Sequence, residues 1–267
     1  MKILCPTDFS NASVNACRWT VQFLQSIGQG SLELVHCISV ASRSQIFVNK
    51  DDIFMEYAKK DLLDLEAELK KMCPEVEIKS FIVKQDPKSF IPHFLEGKDY
   101  DFLITGTKGM SALKEMTVGS VTAFLMDRVD TPVLAIPEDW NFKPLKSIMA
   151  AMEEPDKDLT RAASLIRLVK ATGAQLEVVH TSEQVGVPVN IETSRIVPWD
   201  GINYTLTAIH QGKSIPKTLT NYAVEKKADL MVMLHRKRGF FERLFKNSFS
   251  REELFVIQTP LLILPEA

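Results

Sequence analysis

Short apolar runs alternate with longer amphipathic segments along the first half of the chain. The runs show no strict apolar/polar alternation, which is typical of strands buried on both faces of a parallel sheet. They predict strands at Ile3–Cys5, Leu32–Ile38, Val76–Val83, Phe102–Thr105 and Val133–Ile136. The segments between them have apolar residues at helical spacing and predict helices at Ser10–Leu24, Ile53–Met72, Pro87–Leu95 and Ser120–Arg128.

The second half of the chain repeats this pattern. Leu32–His36 recurs as Leu176–His180, and Thr131–Pro137 recurs at a shorter spacing as Thr259–Pro265. The spacing shortens because about one helix is missing between the second and fourth strands of the second copy. In its place Ser182–Gly201 holds Gly186, Pro188 and Pro198, which favours an extended loop, either a disordered insertion or a lid over a cleft.

Strands that alternate with helices predict the α/β class. We expect two tandem Rossmann-like open parallel five-stranded sheets with helices on both faces, in domains 1–139 and 144–267. The predicted strands of the second copy are Ile148–Ala151, Leu176–His180, Tyr204–Ile209, Leu230–Met233 and Leu261–Leu264.

Composition narrows the classes of function. The 267 residues carry a formal net charge of −2, which provides no general attraction to nucleic acid or to an anionic membrane. No run approaches the roughly 20 apolar residues needed to cross a bilayer, and the N-terminus does not resemble a signal peptide. All four cysteines lie between Cys5 and Cys73 without C-x-x-C spacing, and are expected to be buried thiols in a reducing cytoplasm.

A glycine-rich segment follows the fourth predicted strand. It reads Gly106-Thr107-Lys108-Gly109, and after nine residues continues as Gly119-Ser120-Val121-Thr122. Glycine permits positive φ and close approach to a ligand, at the sheet edge where open α/β folds bind ligands. Gly119-Ser120 begins a helix. The free N–H groups and the positive end of the dipole at a helix N-terminus favour an anion such as a phosphate chain. Lys108 adds positive charge, and Ser120 caps the helix or donates to phosphate.

A second candidate segment, Pro6-Thr7-Asp8, ends the first strand. In a doubly wound sheet the first strand lies beside the fourth, so Asp8 is expected to share a crevice with Gly106. The Asp8 carboxylate is an acceptor for a ribose hydroxyl.

Together these segments resemble the universal stress protein family in its tandem form. Gly106, Gly109, Gly119 and Ser120 reproduce the family's Gly-x2-Gly-x9-Gly-Ser/Thr spacing, and Val121-Thr122 matches its nucleotide-binding members. The resemblance implies ATP or AMP in the first copy. If the protein hydrolyses ATP, it needs Mg²⁺ bridged by the phosphates and water. It implies that Asp8 and Val40 flank the adenine and ribose, while the glycine loop and Ser120 hold the phosphates. It also implies that the last strands of the two copies face each other about a pseudo-two-fold axis.

The second copy departs from the family pattern. Asn247-Ser248 stands where the first copy has Gly119-Ser120, and Met152 replaces Asp8 at the spacing that relates Leu32 to Leu176. Nucleotide binding is therefore expected in the first copy alone, with one nucleotide per chain. The second copy has instead a basic cluster, interpreted as solvated surface or as an anion or partner site, at Arg236, Lys237, Arg238, Arg243 and Lys246.

The sequence favours a nucleotide-binding regulatory protein of the stress response, with no nucleic-acid or membrane partner and with homodimerisation open. One alternative is a slow Mg²⁺-dependent ATPase or self-phosphorylating protein, with Ser120 or Thr122 near the γ-phosphate. Another is a nucleotide-free scaffold that binds a partner or other small ligand through the second copy. His36 and His180 occupy equivalent strand ends, which favours shared packing over catalysis.

Overall fold

A single eleven-stranded sheet with helices on both faces runs through the described part of the chain. The computed structural model describes residues 1–39, 48–107, 118–152, 162–182, 191–210, 215–234 and 257–265. The strands are β1 Lys2–Pro6, β2 Ser31–Cys37, β3 Glu77–Val83, β4 Phe102–Gly106, β5 Val133–Ile136, β6 Ser147–Ala151, β7 Gln175–Ser182, β8 Ile191–Trp199, β9 Ile202–His210, β10 Leu230–Leu234 and β11 Leu261–Leu264. The helices are α1 Asn11–Ser26, α2 Val48–Met72, α3 Pro87–Leu95, α4 Ser120–Arg128, α5 Ala163–Thr172 and α6 Ile215–Glu225.

The strand order confirms the predicted α/β class. The first half forms five parallel strands in the order β3-β2-β1-β4-β5, and the second half contains the parallel order β11-β10-β6-β7-β9. The two last strands, β5 and β11, pair antiparallel, with Leu134 opposite Leu262. The two last strands, which were expected to face each other, therefore pair directly and join the two halves in one continuous sheet. Since the strands of the two halves run in opposite directions, the carboxyl ends of the two sets of parallel strands lie at opposite edges of the sheet.

The prediction of a loop or lid at Ser182–Gly201 is wrong for Ile191–Trp199, which forms strand β8 antiparallel to β9. Asp200 and Gly201 connect the two strands, with φ of 42° and 79°. A two-residue hairpin of this kind needs positive φ at both positions, and Asp-Gly is a favoured pair for it. Pro198 is tolerated because β8 is an edge strand.

Pairing in the sheet corrects the register between the two copies. Ile3 pairs with Leu32, and Ile148 pairs with Leu176, so the spacing between the first strands of the copies is one position longer than that between the second strands. Met152 therefore corresponds to Thr7. The residue that corresponds to Asp8 is the next one, Glu153, which lies outside the described residues. Because glutamate also carries a carboxylate, the predicted loss of the carboxylate is wrong.

Helix α1 packs unusually close to the end of β4. A Cβ atom on Gly106 would lie 2.5 Å from the backbone carbon of Ala12 and 2.8 Å from the nitrogen of Ser13. The counterpart of Gly106 in the second half is Leu234. Helix α5 is described from Ala163, and the residues that correspond to the first turn of α1 lie outside the described residues.

Substituting Gly106 by alanine is expected to destabilise the fold by about 2 kcal/mol, because the added methyl group overlaps the α1 backbone. The free energy of unfolding in urea measures the effect. An unchanged unfolding midpoint would show that α1 relaxes away from β4 at no cost.

Equivalent aspartates anchor the two halves. Asp101 accepts from the backbone N–H of Lys2 (2.8 Å) and pairs with Arg167 of the second half (2.8 Å). Asp229 accepts from the N–H groups of Lys146 (2.8 Å) and Ser147 (3.0 Å), and pairs with Lys143 (2.7 Å). Burial acts to raise the pKa of Asp229, but these three partners outweigh it, and the pKa lies below its usual value.

A lowered folded-state pKa stabilises the protein at pH values above the unfolded pKa of about 3.9, and this contribution is lost as the pH falls through the folded pKa. The substitution Asp229→Asn is therefore expected to cost about 2 kcal/mol at neutral pH and progressively less below about pH 4. Urea unfolding across this pH range measures it.

Asp200→Asn is the matched control for this substitution, because the Asp200–Lys170 pair is exposed and contributes little. Equal losses from the two variants would contradict the role given to Asp229.

Candidate functional site

The end of strand β1 is held by a network of hydroxyl groups. The Oγ1 atom of Thr7 lies 3.0 Å from Ser13 Oγ and accepts from the N–H of Phe9 (3.1 Å). Asp8 Oδ1 accepts from the hydroxyl (2.6 Å) and the N–H (3.1 Å) of Ser10, while the Asp8 N–H donates to Ser13 Oγ (3.3 Å). Ser10 is also the N-cap of helix α1. The position of Asp8 is therefore coupled to the first turn of α1.

Strand β2 holds the same segment from the other side. The Thr7 N–H donates to Val35 O (2.9 Å), and His36 Nδ1 lies 2.8 Å from Thr7 O. The ring of His36 also contacts that of Phe9, with centroids 4.5 Å apart and Phe9 in the left-handed region at a φ of 61°. His180 makes the corresponding backbone contact, to Met152 O (3.3 Å). The two histidines thus share a packing role, as expected from their equivalent positions.

The two ends of the glycine-rich segment meet at the carboxyl edge of β4. The N–H of Gly119 donates to Thr107 O (2.5 Å), and Thr107 is tied to the last strand of this half by its own N–H, which donates to Ile136 O (3.1 Å). The hydroxyl of Thr122, on the first turn of α4, donates to Gly106 O (2.9 Å). These contacts bring the start of helix α4 to the end of β4, as the glycine spacing predicted.

The start of α4 is suited to an anion. Gly119 is its N-cap, no side chain caps it, and Ser120 at its first position is exposed. Free N–H groups at an uncapped helix start attract negative charge. Val121 is half-buried. Thr122 is buried and its hydroxyl is committed to Gly106, so this hydroxyl is a structural link and not a phosphate donor.

Neither Gly106 nor Gly119 has the positive φ that was expected of the glycines in this segment. The φ of Gly119 is −62°, an ordinary value for any residue, and Gly106 is not among the described glycines with positive φ. Gly106 is required because of the close approach of α1. That approach places Ser13 next to the end of β4, and Ser13 Oγ accepts from the Asp8 N–H, so Asp8 is linked to the end of β4 through Ser13.

Three of the predicted site residues, Val40, Lys108 and Gly109, lie outside the described residues. Pro6 is the last residue of β1, and the buried Thr7 follows it. Sequence reasoning identified Ser10 only as a helix start and missed Ser13. The signal for Ser13 was a second serine three positions after the N-cap, on the face of α1 that turns inward.

No group of three or more His, Cys, Asp or Glu side chains among the described residues is placed to hold a metal ion. None of the described helices is long and apolar enough to cross a membrane.

Comparison with known proteins places this site in a family. The sequence model of the universal stress protein family matches residues 1–137. This match spans half of the chain, and the chain belongs to the universal stress protein family. It is 30% identical over 152 residues to a universal stress protein of Methanocaldococcus jannaschii, a match that covers 51% of this chain and 93% of that protein.

Solved structures extend the similarity to both halves. A universal stress protein from Archaeoglobus fulgidus, 18% identical, superposes with a TM-score of 0.71 over 100% of this chain and 96% of its own. This similarity concerns the fold. A family protein from Arabidopsis thaliana, 22% identical over 51% of this chain and 91% of its own with a TM-score of 0.37, was solved with AMP bound.

Proposed function

We propose that the first half of the chain binds one adenine nucleotide, ATP or AMP, and that the protein is a cytoplasmic, nucleotide-dependent regulator of the stress response. The observation that carries this proposal is the hydrogen bond between Gly119 N and Thr107 O. It joins the two ends of the glycine-rich segment and sets the uncapped start of α4 at the end of β4, to which Asp8 is linked through Ser13.

The phosphates occupy the start of α4 in this proposal. The exposed Ser120 hydroxyl and the first N–H groups of the helix donate to phosphate oxygens. Gly109 and Lys108 belong to the loop between the two ends, where glycine permits close approach and lysine adds a positive charge. Mg²⁺, when present, bridges phosphate oxygens and water.

The nucleoside occupies the crevice between the ends of β1 and β2. Asp8 accepts a hydrogen bond from the ribose, and its carboxylate is oriented by the two donors of Ser10 on Oδ1. Val40, three positions beyond the last residue of β2, forms an apolar wall against the adenine. The fixed Asp8 segment reduces the ordering cost of binding, since its position is already set in the free protein.

The second half is proposed to bind no nucleotide, despite the acidic Glu153. Leu234 stands in place of Gly106, so a side chain occupies the position at which the first half has the close approach of α1 to β4. Residues 1–139 then form the binding domain and 144–267 its pseudo-symmetric partner.

A negative charge at the first position of α4 tests the phosphate site. Ser120→Glu is expected to weaken ATP binding roughly tenfold or more, because a carboxylate repels phosphate at close range. The fold is expected to be retained, since acidic residues stabilise helix N-termini. Calorimetric titration with ATP and thermal unfolding measure the two effects.

Ser120→Gln is the matched control for this substitution, because glutamine has the same size as glutamate and no charge. Loss of the neutral serine hydrogen bond is expected to weaken binding by about fivefold or less. Equal affinities for the glutamate and glutamine variants would place the phosphates elsewhere.

Native mass spectrometry of the purified protein tests the stoichiometry. One adenine nucleotide per chain is expected, because only the first half has the close packing at Gly106. Two nucleotides per chain would contradict the assignment to the first half.

Incubation with labelled ATP and magnesium distinguishes a regulator from an enzyme, since a regulator retains the nucleotide whereas an ATPase releases ADP continuously.

A further inference from the structure

Two thiol groups meet between strand β1 and helix α1. The sulfur atoms of Cys5 and Cys17 lie 3.4 Å apart, and both residues are completely buried. All four cysteines of the protein are free. This pair lies outside the crevice, yet the chain between the two residues contains the whole of the Thr7–Ser13 network.

Packing alone does not require sulfur at these two positions. In the register that aligns Ile3 with Ile148, the counterparts of Cys5 and Cys17 in the second half are Ala150 and Ala162, which are equally buried (0% and 1% exposed). Alanine therefore fills the space between the first strand and the first helix of a half. The thiol pair is confined to the half with the glycine-rich segment.

We infer that Cys5 and Cys17 form an oxidative modification site, which hydrogen peroxide converts to a disulfide and which thereby acts on the Asp8 segment. One thiolate attacks a peroxide oxygen, the O–O bond breaks, and a sulfenic acid and water result. The second thiol attacks the sulfenic sulfur, the S–S bond forms and the second water leaves. Two electrons pass from the sulfurs to the peroxide, and the two thiol protons end in water.

The burial of the two thiols limits the size of the oxidant that can reach them and the rate of their oxidation. Since neither sulfur is exposed, the oxidant must be as small as hydrogen peroxide, and it enters during local opening of α1. The hydrogen bond with Cys5, together with burial, raises the pKa of Cys17 well above its usual value. Thiolate is therefore scarce, and oxidation is expected over hours of exposure rather than seconds.

Disulfide formation has a mechanical consequence for the nucleotide site, and this part rests on the proposed function. A disulfide bond is about 2 Å long, so the sulfurs must approach by roughly 1 Å or more. Because Ala12 already contacts Gly106, the first turn of α1 cannot move directly toward the sheet and must pivot. This displaces Ser13, which holds the Asp8 N–H.

The test uses the folded full chain in which the other two cysteines are replaced, Cys37→Ser and Cys73→Ser. After prolonged peroxide treatment, the intact mass is expected to fall by two hydrogens, and a thiol reductant is expected to restore it. Adding Cys17→Ala is expected to abolish the mass change without unfolding the protein, since Ala162 occupies the same place in the second half. No mass change in the first protein, or the same change with Cys17→Ala, overturns the site.

The effect on Asp8 has two readouts. The oxidised protein is expected to bind ATP several-fold more weakly than the reduced protein, and its amides in residues 7–13 are expected to exchange faster with deuterium. Unchanged exchange overturns the mechanical coupling. A reduced protein that binds no ATP contradicts the proposed function, while the mass and exchange measurements still decide on the thiol pair.

Discussion

The first turn of helix α1 lies directly against Gly106 at the end of strand β4, and the arrangement of the first half depends on this contact. It brings Ser13 to the end of β1, where its hydroxyl meets Thr7 and Asp8. The same glycine carbonyl accepts from Thr122 and so fixes the start of α4. One missing side chain therefore positions both the Asp8 segment and the start of α4.

The second half has a side chain at that position, because Leu234 replaces Gly106. The core beneath is preserved, since buried apolar residues of both halves belong to the same two clusters on the faces of the sheet. Fold and site are thus separable in this protein, because the core needs only apolar volume whereas the crevice needs a particular backbone approach.

Antiparallel pairing of β5 with β11 gives the molecule its overall form. It covers the apolar edges that each half would otherwise expose, and places the two carboxyl edges on opposite sides. Ion pairs such as Arg167 with Asp101 connect the halves beyond the strands themselves. The second half therefore supports the first by completing the sheet, whether or not it binds a ligand of its own.

The amino-acid sequence by itself determined the alternation of strands and helices, the repeat, and the glycine spacing that joins β4 to α4, because these depend on local periodicity and backbone preferences. It also contained the Asp200-Gly201 pair, which is typical of a hairpin turn, but the neighbouring prolines favoured the prediction of a loop. Only the tertiary structure decided that β5 and β11 form one sheet, that Ile148 is the counterpart of Ile3, and that Ser13 supports Asp8. Each of these depends on atoms that are distant in the chain or on the pairing of separate strands, and such contacts leave no periodic signal in the sequence.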